Sequence, residues 1–217
     1  MNYISLGHDC HMANSLNFIK LRKESLPFDF LFTAPQHGLE YVSFLIQNNF
    51  ADFTDNLDYV GNKVISKNYP YAKFYHHDLI KNVQTLSKNM TIDHLNIDNE
   101  TLIDKFKRRA HRFMEKINDP NGKCLFFYVF DKKYMLSDEL FNKIMSSIDL
   151  FLYTMKNYSK CQFKLIIFIR NCTDDFQTIM NKINIDNKLV IFEQFNGINK
   201  NKCNKANLKR VIAKHSF

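Results

Sequence analysis

The chain reads as an α/β protein: a single-domain, three-layer sandwich with a mainly parallel sheet of at least four strands flanked by helices. Three observations predict this. The segments 125–130, 163–169 and 188–192 are nearly continuous apolar runs, the pattern of strands buried on both faces. Helix-length segments at 100–118, 136–158, 174–184 and 203–214 alternate with them. The 217 residues are 45% hydrophobic, and no Gly-, Ser- or Pro-rich stretch divides them, so residues 1–217 are read as one domain around one core.

In chain order, the first element is a short apolar strand at 2–6 that breaks at Gly7 and should join the same sheet. A helix at 11–22 follows, with Met12, Leu16, Ile19 and Leu21 as a ragged apolar face, and then a helix at 36–49. Residues from about 50 to 98 are aromatic and Asn-rich without a clear period, and are read as an irregular insertion. The helix at 100–118 carries an apolar stripe of Leu102, Phe106, Phe113 and Ile117, and Arg109 falls on that stripe. An inward guanidinium needs a negative partner, either a structural carboxylate such as Asp29 or an anionic group of a substrate. With only 4 Pro and 5 Gly against 21 Phe and 10 Tyr, helices and aromatic-filled strands should dominate over long loops.

Composition excludes several classes. The 5 cysteines (Cys10, Cys124, Cys161, Cys172, Cys203) are odd in number, scattered and without a C-x-x-C pair, which argues against a disulfide framework and a zinc cluster. Free thiols fit a reducing compartment, so an intracellular, cytoplasmic location is expected. No apolar run reaches the ~18 residues needed to span a bilayer, and no membrane partner is expected. The formal net charge of +8 and pI near 9.1 come from lysines spread along the chain, densest at 105–112 and in the tail. They read as a solvated basic face, not as a specific nucleic-acid site. His8, Asp9, His11, His76, His77 and Asp78 are ligand-type residues, but their spacing fits no zinc signature, and no metal or cofactor is expected.

Open parallel sheets bind ligands beyond the carboxyl ends of their strands. Those ends carry Gly7 to Cys10, Asp131 to Lys133, Arg170 to Asp175 and Glu193 to Asn196. Cys10 stands where a strand hands over to a helix. The helix directs its free N–H groups and positive dipole end toward the sulfur, which favours thiolate, the nucleophilic form. Asp9 next door opposes the thiolate by like charge, and a buried cysteine can also be a small core hydrophobe.

Four blocks of sequence resemble one family. They are Ser5-Leu6-Gly7-x-x-Cys10, Pro27-Phe28-Asp29-Phe30, Phe74-Tyr75-His76-His77-Asp78, and the basic helix Lys105 to Phe113. Together they resemble a domain family of unknown function whose members are described as putative papain-like cysteine peptidases, with Phe30 standing where the family usually has Trp. The resemblance implies a Cys nucleophile and a His base acting on a peptide or ester bond. His77 is preferred to His76 because the family block carries its His directly before Asp. Asp29 is the candidate for orienting that base, and Arg109, Gly7 and Asp78 are the candidates on the substrate side. The papain architecture, a helical domain against an antiparallel barrel, conflicts with the periodicity here, which is closer to esterase-like α/β sandwich hydrolases whose nucleophile follows the first strand. Two other readings stay open: a transferase on a phosphate-bearing or sugar-nucleotide substrate, weakened by the lack of a Gly-rich phosphate loop, and a non-catalytic binding module. The substrate is expected to be acyl or anionic, and the sequence carries no signal of oligomeric state.

Overall fold

A computed structural model describes residues 1–217 apart from 30, 52, 55–56, 61–62, 75–97, 173–174, 184–187, 196, 200–201 and 204. The elements are β1 (Asn2–Ser5), α1 (His11–Phe18), β2 (Leu31–Phe32), α2 (Pro35–Gln47), β3 (Leu57–Val60), β4 (Lys63–Ser66), β5 (Lys73–Phe74) and α3 (Asp98–Asn118). They continue with β6 (Lys123–Asp131), α4 (Asp138–Tyr158), β7 (Gln162–Arg170), α5 (Phe176–Lys182), β8 (Val190–Phe195), β9 (Gly197–Asn199), β10 (Lys202–Cys203) and α6 (Lys205–His215).

The expected parallel sheet is present. Its order is β1-β6-β7-β8, and every neighbouring pair is parallel. The long strands β6 and β7 are buried along most of their length, which is why their sequences run apolar without alternation. Alternate side chains serve opposite layers. Phe126, Tyr128, Phe130, Leu165, Ile167 and Ile169 face a large core with residues of α2, α3 and α4. Leu125, Phe127, Val129, Ile166 and Phe168 face a second core with Met12 and Leu16 of α1 and Leu208, Val211 and Ile212 of α6. That is the three-layer sandwich.

Several boundaries differ from expectation, β8 among them at Val190–Phe195 where the apolar run marks 188–192, and three differ for local reasons. The first helix stops at Phe18, because Lys20 adopts a left-handed conformation (φ 62°) and the Leu21 amide donates back to Leu16 O at 3.0 Å. The second stops at Gln47, where Asn49 (φ 49°) and Phe50 (φ 58°) turn the chain and the Phe50 amide donates to Leu45 O at 2.8 Å. The second α-helix after the insertion, α4, begins at Asp138, behind a 3-10 turn at Lys132–Met135, with Ser137 as its N-cap. Within the stretch read as irregular, the described residues form the antiparallel hairpin β3–β4, and β5 and β2 extend it in the order β2-β5-β4-β3. Strands this short give too few alternations to stand out in a sequence.

Candidate active site

The hand-over from β1 to α1 is built by two consecutive residues in left-handed backbone, Gly7 (φ 88°) and His8 (φ 72°). Gly7 is required twice over. A Cβ there would lie 3.1 Å from Leu31 Cβ and 3.2 Å from Phe28 O, so Phe28 and Leu31 pack directly against the bend. Just beyond them in the chain, Thr33 N–H donates to His8 O at 3.4 Å, and Thr33 O lies 2.8 Å from His8 Nδ1. A carbonyl can only accept, so His8 carries its proton on Nδ1 and Nε2 is the basic nitrogen. The His8 ring is buried edge-on to Tyr128 and Tyr134, each at 6.2 Å between centroids. Burial pushes its pKa below the ordinary histidine value, with Asp9 only partly opposing.

Asp9 ties this bend to the far strand. Its Oδ1 accepts from the His11 amide at 2.9 Å, while Oδ2 lies 2.7 Å from His11 Nδ1 and 2.9 Å from Arg170 Nη1. Arg170 ends β7 and has His11 Nδ1 within 2.9 Å as well. Because a guanidinium only donates, the consistent assignment has both His11 Nδ1–H and Arg170 donating to the carboxylate, which leaves Nε2 as the basic nitrogen of His11. Burial opposes the charge on Asp9, but the His11 hydrogen bond and the Arg170 charge outweigh it and hold the carboxyl below its usual range.

Cys10 lies between these residues as the N-cap of α1, without a side-chain cap bond. It is half-buried, whereas Cys124, Cys161 and Cys172 are buried. The thiolate expectation meets a correction here. Burial, and then the Asp9 carboxylate, push the Cys10 thiol above the ordinary cysteine value, with its own backbone amide and Arg170 acting the other way. The helix start is present, but the adjacent carboxylate and the partial desolvation win.

The other expected site residues are placed as follows. Asp29 is buried and accepts from Arg22 Nε at 2.9 Å, Arg22 Nη2 at 2.8 Å and the Leu26 amide at 2.8 Å. Burial pushes its carboxyl up, against the pull of Arg22, and Arg109 is close enough to act on it electrostatically. Arg109 is buried on the apolar stripe of α3, as the helical period implied, with its guanidinium 5.5 Å from the centre of the Phe106 ring. The structure therefore brings Cys10 and Gly7 together with His8, Asp9, His11 and Arg170, and gathers Asp29, Arg22 and Arg109 in the support beneath the Phe28 segment. His76, His77 and Asp78 lie outside the described residues. In the sequence Arg170 carries no role beyond its place at a strand end, and Asp9 and His11 are read separately, Asp9 as a charge opposing the thiolate and His11 as a ligand-type residue, not as a pair. The signal available was the position of Arg170 at the carboxyl end of an apolar strand.

Among the described residues, no cluster of three His, Cys, Asp or Glu side chains could hold a metal ion, and no helix is long and apolar enough to cross a membrane. Residues 1–173 match a family model with the description "Putative papain-like cysteine peptidase (DUF1796)". No curated protein and no solved structure matches the chain.

Proposed function

We propose that this chain, which belongs to the family described as putative papain-like cysteine peptidases, is a thiol-dependent hydrolase of acyl bonds, peptide or ester, with Cys10 as nucleophile. The observation that carries this reading is the setting of Cys10. It is a half-buried thiol at a helix N-terminus, on the carboxyl edge of a parallel sheet, with two imidazoles and a guanidinium in the adjoining residues and strand end. A histidine takes the thiol proton, sulfur attacks the acyl carbon, and the leaving group departs with a proton to give a thioester. Water then attacks the thioester, releasing the acid and restoring the thiol. The His11 amide is taken by Asp9 Oδ1, so the Met12 and Ala13 amides, which a helix start leaves without intrahelical acceptors, are the ones suited to the developing oxyanion.

The base is assigned to His77 on the motif His77-Asp78. A specific observation favours a second candidate, His11, whose Nδ1 is held 2.7 Å from Asp9 Oδ2 in the carboxylate–imidazole arrangement that orients a catalytic base. Because the Cys10 thiol is pushed up and not down, the base acts during attack and a preformed thiolate is not required. The likeness to papain concerns the Cys-then-His chemistry only, since the sheet here is parallel. Cys10→Ser should keep its melting temperature and lose hydrolysis of activated esters and peptides. Hydrolysis that survives Cys10→Ser would overturn the reading. His77→Ala and His11→Ala, compared on the same substrates, identify the base by which of the two abolishes turnover.

A further inference from the structure

Two segments that supply helices to one outer layer of the fold carry an excess of positive charge that the linear sequence hides. Residues 10–23 and 194–217 contain nine Lys and Arg and no Asp or Glu, against a net charge of +8 for the whole chain, so the remainder is nearly neutral. These two segments include α1 and α6, which cover the same face of the sheet. α6 buries Leu208, Val211 and Ile212 against the sheet, while Lys205, Lys209, Arg210 and Lys214 are exposed. Lys20, at the end of α1, is exposed as well, whereas Arg22 turns inward to Asp29.

Phe18 stands on this surface 57% exposed, with the Lys205 ammonium 5.0 Å from its ring centre. A large aromatic side chain left in water beside ammonium groups gains by entering an apolar phase while its neighbours stay with anions. Among the described residues, Glu193 is a carboxylate that reaches this set, through Lys214 at 3.1 Å and His215 at 2.7 Å.

We infer that the α1–α6 face adsorbs to an anionic lipid surface, with Lys20, Lys205, Lys209, Arg210 and Lys214 meeting the headgroups and Phe18 entering the interface. Five basic residues on an amphipathic helix and its neighbour fall within the cluster size that reads acidic headgroups. A lipid surface is favoured over a nucleic acid because, among the described residues, the exposed phenylalanines of these two segments are Phe18 and Phe217, too few to form a series on which bases could stack. The inference goes beyond the chemistry at Cys10 and does not depend on it. It departs from the expectation of no membrane partner, which rested on the lack of an apolar run long enough to span a bilayer and does not bear on adsorption to its surface.

Co-sedimentation of the full chain tests it, using vesicles of phosphatidylcholine alone and of phosphatidylcholine and phosphatidylserine in equal amounts. Binding is expected only to the phosphatidylserine vesicles, and it should weaken as salt rises. Each basic residue near an anionic leaflet is worth roughly a fivefold change in partitioning, so Lys209→Glu with Arg210→Glu should lower it by more than about a hundredfold. Phe18→Ser should weaken binding at every salt concentration. These are surface changes, and an unaltered melt and unaltered Cys10 alkylation confirm that the variants are folded. The inference is overturned by equal binding to both vesicle types, by no binding, or by binding that the double charge reversal leaves intact. Tighter, variant-sensitive binding to an oligonucleotide than to the vesicles at the same salt also overturns it, and reassigns the face to nucleic acid.

Discussion

Cys10 experiences opposed influences, and their balance has a measurable sign. Burial and Asp9 disfavour its thiolate more than Arg170 and the local amide favour it. Alkylation of Cys10 by iodoacetamide should therefore rise with pH to a midpoint above the ~8.5 of a free cysteine. A midpoint below that value would mean a resting thiolate–imidazolium pair and would contradict general-base activation. Asp9 carries the second residue-level prediction. Its carboxylate holds Arg170, whose side chain is largely buried, so Asp9→Ala should cost about 3 to 5 kcal/mol by stranding that guanidinium. Because the native carboxyl is held below its usual range, its contribution is fully present above the unfolded value near ~3.9 and is lost as pH falls through the lowered native one. Wild-type stability should thus fall on acidification below about pH 4, and the Asp9→Ala protein should show a shallower fall. Equal acid profiles for the two proteins would contradict this account of Asp9.

At the scale of elements, the bend between β1 and α1 depends on Gly7. Gly7→Ala combines a left-handed backbone with contacts near 3.1 Å to Leu31, and should destabilise by about 1 to 3 kcal/mol while displacing Cys10. A variant with native melting and native turnover would show that the bend does not position the thiol. Arg109 belongs to the support behind this bend. Arg109→Ala should lower stability by about 3 to 5 kcal/mol, because a buried guanidinium acting on the Asp29 carboxyl is removed. If its partner were instead a substrate anion, the melt would stay unchanged and ligand binding would weaken. The inward position of Arg109 was legible because a helical period puts residues 102, 106, 109, 113 and 117 on one stripe. The Arg22–Asp29 pairing was not, since a loop arginine seven residues away follows no period. The hairpin β3–β4 escaped for a related reason, as four-residue strands carry little pattern.

For the whole molecule, the parallel sheet was readable because strands buried on both faces must be apolar throughout, and helices between them leave little alternative to right-handed crossovers. The cluster at the carboxyl edge was only half readable. Strand ends marked the edge, but the joining of Asp9 and His11 to Arg170 depends on β1, β6 and β7 lying side by side, a tertiary fact absent from local sequence. The one-sided charge was hidden likewise, because α1 and α6 lie at opposite ends of the chain yet share one layer. The central claim, that Cys10 forms an acyl-enzyme, is tested most directly by acid-quenching the protein with a p-nitrophenyl ester and mapping the acylated residue by mass spectrometry. The account predicts an acyl thioester on Cys10 that decays as the acid is released and is absent from Cys10→Ser. Acyl groups distributed equally over Cys10 and the buried thiols, or none on Cys10 while hydrolysis proceeds, would contradict it.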